Sequence, residues 1–173
     1  EQSGKLSYFW ATNQQEAHRM YKLSGEYEIK LDEKSRLRLP SSLVKQLESG
    51  LDKSFMLNRG FEKCLILYPQ SVWEEKSKEV NQLNPYNIKN REFARFFFRG
   101  ATQVDPDSSS RIVIPKSLLE HAGISQDIIL LAYHNQVEIW SKDAYLKMIQ
   151  EEPADFAKLA EEVFRHKDVW NRI

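Results

Sequence analysis

The sequence contains one cysteine, Cys64, in 173 residues, which excludes a disulfide framework and any cysteine-rich zinc site. It has only six glycines, too few and too scattered for a phosphate-cradling loop. Nowhere does an uninterrupted apolar run approach the roughly 18 residues that a membrane-crossing helix needs. No charged-then-apolar leader resembles a signal peptide. Net charge is also missing, because 25 Lys and Arg cancel 25 Asp and Glu. A uniformly basic nucleic-acid coat is thereby excluded, and a charged partner has to be met by a local patch. Apolar residues at 41% and aromatics at 12% are too many for a disordered chain. The expectation is a globular cytoplasmic protein of one ordinary domain or two very small ones.

The chain contains an internal repeat. Asp32-Glu33-Lys34-Ser35-Arg36-Leu37-Arg38-Leu39-Pro40-Ser41-Ser42-Leu43 resembles Asp107-Ser108-Ser109-Ser110-Arg111-Ile112-Val113-Ile114-Pro115-Lys116-Ser117-Leu118, with Asp, Arg, Pro and the last Leu all 75 positions apart. Further on, the segment from Cys64 to Trp73 parallels Gln136 to Tyr145 at an offset of 72. The first copy therefore carries three extra residues, expected in the Glu48–Lys53 connection. Copies of about 50 residues are each too small to bury a good core. They are expected to pack together as an internal pseudo-dimer.

Both copies share one grammar. A strand (Glu26–Leu31; Ala101–Val104) enters a polar Asp-x-x-x-Arg turn, and a second strand follows (Leu37–Leu39; Ile112–Ile114). Proline then closes the strand and opens a short helix, since its missing N–H costs nothing at the first helical position. The spacing of Leu43, Val44 and Leu47, and of Leu118, Leu119 and Ala122, predicts the helices. Gly50 and Gly123 are expected to stop them. Two further strands close each copy, Phe55–Leu57 with Cys64–Tyr68 and Ile128–Ala132 with Val137–Trp140. Their turns are Asn58-Arg59-Gly60 and His134-Asn135.

Composition divides the remainder. From Lys76 to Arg99 six cations face Glu79 and Glu92, a local excess of four positive charges. Arg91, Arg95 and Arg99 recur every four residues on one helical face, and Phe93, Phe96, Phe97 and Phe98 are assigned to its buried side. From Asp143 to Glu162 six acids face two lysines, on helical patterning around Leu146, Ile149, Phe156 and Leu159. The expected organisation is 1–19 as an N-terminal extension, 20–80 as the first unit, and 81–99 as a basic helical linker. The second unit is 100–147 and the acidic helical tail 148–173. An expression remnant, an upstream extension and a mobile arm all remain open for 1–19.

Gly25-Glu26-Tyr27, then Leu31-Asp32-Glu33-Lys34-Ser35-Arg36-Leu37 and Pro40, resemble the start of MraZ proteins. Cys64-Leu65-Ile66-Leu67-Tyr68-Pro69, the second turn Asp107 to Arg111, and His121-Ala122-Gly123 extend the likeness, which covers about Met20 to Phe164. The resemblance implies an α+β, β-rich fold of tandem swapped-hairpin units of the AbrB/SpoVT type, with short helices. It also implies a transcriptional regulator that binds double-stranded DNA at short direct repeats upstream of the division and cell-wall gene cluster. Nucleoid association and a ring-shaped homo-oligomer are further implications, as is the start of the shared unit at Met20.

The residues themselves suit that chemistry. Arg36 offers a planar fork that matches guanine edges or phosphate, and Lys34 is a point charge for phosphate. Asp32 can hold Arg36 across the turn. Taken without the repeat, Asp32 and Arg36 also fit a surface ion pair that only pins the hairpin, worth about 0–1 kcal/mol. The candidate DNA-binding residues are Asp32, Lys34, Arg36, Arg38 and Arg111. The second turn has Ser109 for Lys34 and Val113 for Arg38, so the first copy is the stronger candidate. Arg91, Arg95 and Arg99 read as a phosphate clamp, a solvated face or an intersubunit salt-bridge ladder against the acidic tail, the last two being favoured. Arg59 is assigned to structure, His121 to a helix end, Cys64 to the core, and Trp73 and Trp140 to packing. No nucleophile elbow and no metal-ligand spacing occur, so neither enzyme activity nor a cofactor is expected. The alternative is an antitoxin-like AbrB-fold protein that binds a partner protein through its C-terminal helix.

Overall fold

A computed structural model describes residues 21–50, 52–150 and 155–170, the last segment with side chains to Arg165. The expectation for 1–19 lies outside the described residues.

Strand β1 (Leu23–Lys30) leads through the first polar turn into β2 (Arg36–Arg38) and helix α1 (Ser41–Glu48), followed by β3 (Phe55–Arg59) and β4 (Leu65–Pro69). Helices α2 (Gln70–Asn81) and α3 (Ile88–Phe98) come next, and then β5 (Thr102–Val104), β6 (Arg111–Val113) and α4 (Lys116–Ala122). The hairpin β7 (Asp127–His134) and β8 (Gln136–Ser141) completes the main unit. The chain divides into two compact units between Lys142 and Asp143. The second contains most of α5 (Lys142–Gln150) and all of α6 (Phe156–Trp170).

Pro40 and Pro115 stand at the N-caps of α1 and α4 in extended geometry, φ −58° and −57°. Each ends a strand and opens a helix, as the fixed proline φ allows. Gly123 ends α4 in the left-handed region at φ 62°, which glycine enters without a Cβ penalty. Gly50 does not act this way, because α1 is already capped by Ser49 in right-handed geometry. A Cβ at Gly50 would lie 2.1 Å from the ring of Tyr21, a residue buried to 1% exposure. Glycine is required there for the close approach of that ring, whose hydroxyl donates to Asp52 at 2.7 Å.

The six-stranded sheet has the order β1-β7-β8-β4-β3-β5, with every neighbouring pair antiparallel. Each copy's first strand pairs with the other copy's hairpin, β1 with β7 and β5 with β3, so the order is a palindrome in the two copies. A separate two-stranded ribbon joins β2 to β6. Leu37 lies opposite Ile112 and Ile66 opposite Glu138, each beside its own counterpart in the repeat. A pseudo-two-fold axis therefore passes through both places. The tandem swapped-hairpin pseudo-dimer expected from sequence is the observed architecture.

The registers also relocate the three extra residues. The β3–β4 hairpin, closed by Phe55 and Pro69, is one residue longer than β7–β8, closed by Ile128 and Ser141. Only two of the three lie between Pro40 and β3.

The assignment of all four α3 phenylalanines to a buried side is corrected. Phe97 stacks on Trp73 at 5.3 Å, and Phe98 meets it edge-on at 5.9 Å. Phe93 and Phe96 stay exposed, Phe96 at 61%. One anchor ring can cover only one stripe of a helix. Arg99 follows the end of α3 in extended geometry, so it does not continue the helical face of Arg91 and Arg95.

Leu37, Ile112, Leu57, Leu65, Leu130 and Ile139 are fully buried in one continuous core. The ladder that joins β2 to β6 has only three residue pairs, so it depends on its two inward side chains. Ile112→Ala should lower unfolding stability by about 2–5 kcal/mol in urea titration. Val113→Ala, on the outward side of the same strand, should change it by less than about 0.5 kcal/mol.

Candidate nucleic-acid interface

The two polar turns are built alike, atom for atom. In the first, the Asp32 N–H donates to the Arg36 carbonyl (3.0 Å) and the Ser35 N–H donates to the Asp32 carbonyl (3.0 Å). The Asp32 carboxylate accepts from the backbone N–H groups of Lys34 and Arg36, both at 2.9 Å, and from Arg36 Nε at 2.6 Å. In the second, Asp107 accepts from the N–H groups of Ser109 (2.8 Å) and Arg111 (3.0 Å) and from Arg111 Nε (2.8 Å). Ser35 and Ser110 take φ of 56° and 58°, the left-handed geometry that a tight turn demands. Their carbonyls reach across the pseudo-axis: Leu39 N–H donates to Ser110 (2.9 Å) and Ile114 N–H to Ser35 (3.0 Å). Each turn thus helps to hold the other copy's strand.

This geometry explains why the motif needs Asp four residues before Arg. One carboxylate oxygen closes the backbone turn while the other fixes the guanidinium. The backbone N–H of Arg36 above all, then the Arg36 side chain and the Lys34 N–H, hold the Asp32 carboxyl below the ordinary value of 3.8. Asp107 is lowered likewise, first by the Arg111 N–H, then by the Ser109 N–H and the Arg111 side chain. Only Nε of each arginine is engaged by its carboxylate, so four of the five guanidinium N–H donors lie outside that bond.

Strand alternation sorts the ribbon's side chains onto two faces. Leu37 and Ile112 point into the core with no exposed surface. Arg36, Arg38, Arg111 and Val113 occupy the outer face, with Arg36 opposite Val113 and Arg38 opposite Arg111. Arg38 and Val113 are exposed, and Arg36 and Arg111 half-buried. The structure therefore brings together four of the five residues singled out from sequence, Asp32, Arg36, Arg38 and Arg111. Lys34 lies on the first turn beside them. It also puts two arginines of different copies directly opposite each other, an unfavourable pairing in a sheet. The role of Val113 on this face was missed in the sequence, where it figured only as a missing charge. Its alternation with the inward Ile112 is the signal that places it.

The other residues fall elsewhere. Cys64 is fully buried, and burial, with smaller help from Glu138 and Glu62, pushes its thiol up to about 12. His121 is held below its ordinary value, mainly by burial and then by the cation of Arg59, the opposite of what a helix end alone would do. Trp73 and Trp140 are buried, as expected of packing residues. Arg91 donates to the Pro85 carbonyl at 2.8 Å. A groove of about 680 Å³ is lined by Asn58, Phe61, Tyr68, Phe93, Phe96 and His121. Its rim residue Phe61 is 87% exposed, and in its floor Asn58, 2% exposed, has a side-chain oxygen with no hydrogen-bond partner. Among the described residues, no group of three or more His, Cys, Asp or Glu could hold a metal ion. No helix there is long and apolar enough to cross a membrane.

A family model described as "MraZ protein, putative antitoxin-like" matches twice, over residues 23–96 and 97–167. The chain is 43% identical over 150 residues to the transcriptional regulator MraZ of Christiangramia forsetii, covering 86% of this chain and 97% of the relative. It is 42% identical to the same-named protein of Flavobacterium psychrophilum over 145 residues, 83% of this chain and 92% of the relative. With that of Pediococcus pentosaceus it shares 39% over 137 residues, 79% and 93% of the two chains. The chain belongs to the MraZ family. Each of the two MraZ matches contains one Asp-x-x-x-Arg turn, and their junction at Phe96 and Phe97 falls within α3. The MraZ repeat and the geometric repeat are thus the same feature, seen in sequence and in space.

The lowered carboxyls carry a pH signature. A group whose folded value lies below its unfolded one stabilises the fold above the unfolded value, and loses that as pH falls through the folded value. Asp107→Asn should therefore lower the thermal midpoint at pH 7. Its difference from the unsubstituted chain should shrink as pH drops below 3.8. Circular dichroism melts at a series of pH values would check this, and a difference that is constant with pH would contradict it.

Proposed function

We propose that the chain is a sequence-specific, DNA-binding transcriptional regulator that reads double-stranded DNA with the outer face of the β2–β6 ribbon and its two turns. The observation that carries this is the Arg38–Arg111 pair. Two guanidiniums held directly opposite each other on an exposed ladder weaken the fold, unless a polyanion lies over them. A two-stranded ribbon fits the major groove, where arginine pairs bidentately with guanine. Asp32 and Asp107 preset the arginines, so less side-chain freedom is lost on binding. The names of the relatives, transcriptional regulator MraZ, support the same reading. Short direct repeats upstream of the division and cell-wall genes are the expected target, with the protein cytoplasmic and associated with the nucleoid.

A chain of zero net charge with so few cations at one ribbon binds a single site weakly, so affinity has to come from linked copies. The exposed groove at Phe61, Phe93 and Phe96, flanked by the cations of α3, supports self-association. So does the apolar face of α6, where Phe156, Leu159, Val163 and Phe164 are exposed. A head-to-tail arrangement of such patches closes into a ring. The same exposed α6 face is what favours the second reading, an antitoxin-like subunit that grips a different protein.

Gel shift on the DNA upstream of the chain's own gene tests the main reading. Arg36→Ala should lose about 1–3 kcal/mol for each base contact removed, multiplied over the engaged copies, while folding is kept. Arg111→Ala should cost less, because its turn has Ser109 where the first has Lys34; the opposite order would reverse the assignment of the halves. Light scattering at micromolar concentration should give a species well above a dimer, and a monomer would remove the linked-copy argument.

A further inference from the structure

The outer face of the ribbon carries one side chain that charge does not explain. Val113 is 58% exposed and lies directly opposite Arg36 in the ladder, where the repeat has Arg38 in the other copy. An isopropyl group among three guanidiniums adds nothing to phosphate attraction. It is the wrong residue for a purely electrostatic face. It is the right one for the apolar feature of the major groove, the C5-methyl group of thymine.

Distances support that pairing. Residues directly opposite in an antiparallel ladder have Cβ atoms about 4.5–5.5 Å apart, and successive bases on one strand are about 3.4 Å apart. A base met by Val113 therefore lies about one or two steps from the base met by Arg36. The Asp32 carboxylate fixes the guanidinium at 2.6 Å, so the separation of the two contacts is preset by the fold. We propose that Val113 is a specificity-determining residue that packs on the methyl group of a thymine adjacent, or next but one, to the base pair read by Arg36. This rests on the ribbon being the DNA-reading surface.

The test removes the methyl group and nothing else. On the DNA upstream of the chain's own gene, each thymine position of the protected repeats is replaced in turn by deoxyuridine. Affinities are measured for the unsubstituted chain, Val113→Ala and Arg36→Ala. Val113 is exposed, so Val113→Ala keeps the fold. One thymine position per repeat should weaken the unsubstituted chain about four-fold when it becomes deoxyuridine, the equivalent of one buried methyl group. The same replacement should leave Val113→Ala unchanged. If the chain binds and Arg36→Ala abolishes binding, but no deoxyuridine position matters, or one matters equally for Val113→Ala, the inference is overturned and the ribbon reading survives. If binding is indifferent to Arg36→Ala, or is absent, the ribbon reading falls and takes the inference with it.

Discussion

The three-residue ladder between β2 and β6 is the constraint on which the rest of this molecule depends. Two strands that short do not hold together in water by their own hydrogen bonds. They are held by Leu37 and Ile112, which meet on the pseudo-axis with no exposed surface, and by the Ser35 and Ser110 carbonyls, each accepting from the other copy. Ser35 and Ser110 offer those carbonyls from left-handed geometry, and Asp32 and Asp107 stabilise that geometry by closing the turns. Core packing, turn closure and arginine placement are thus one interlocked arrangement.

The electrostatic consequences follow from the same arrangement. Each aspartate neutralises one arginine at Nε, so the ribbon is less positive than its count of guanidiniums suggests. That suits a chain with no net charge, because orientation of a few donors, and not bulk attraction, sets what the surface can recognise. The arginines near α3 are arranged differently from those of the ribbon. Arg91 spends a donor on the Pro85 carbonyl, and Arg99 lies past the helix end, so the α3 cations do not form one aligned row.

Much of this was legible in the residues, because the repeat fixes so much. A 75-residue offset between Asp32 and Asp107 marks two equal turns, and prolines after both strands mark two equal helices. The pseudo-dimer follows, since neither copy can bury Leu37 or Ile112 alone. Other features were hidden for physical reasons. The four phenylalanines of α3 have no spacing that says which of them meets Trp73, and only the tertiary position of that ring separates Phe97 and Phe98 from Phe93 and Phe96. Gly50 looked like a helix stop, but its role is set by Tyr21, 29 residues earlier. The extra hairpin residue was invisible because a length difference in sequence has no address until strands are in register. At the candidate interface, Asp32, Lys34, Arg36, Arg38 and Arg111 were all readable as residues, whereas the opposition of Arg38 and Arg111 required the swap.

Fusing the two copies into one chain has a consequence that a true dimer would lack. With identical copies, the counterpart of Arg38 would stand opposite both Arg36 side chains, and the outer face would carry four guanidiniums related by two-fold symmetry. Such a face presents the same pattern in both directions along a duplex, and symmetry would match it to a palindrome. In this chain Val113 replaces one of the four at the Arg36 end of the ladder, and Ser109 replaces Lys34 on the turn at the Arg38–Arg111 end. The backbone keeps the pseudo-two-fold axis through Leu37 and Ile112, while the chemistry of the face does not. A surface with Lys34, Arg36 and Val113 at one end and Arg38, Arg111 and Ser109 at the other is not two-fold symmetric, and so distinguishes one strand direction from the other. Direction-sensing at each ribbon is the property that direct repeats, unlike palindromes, demand of their reader.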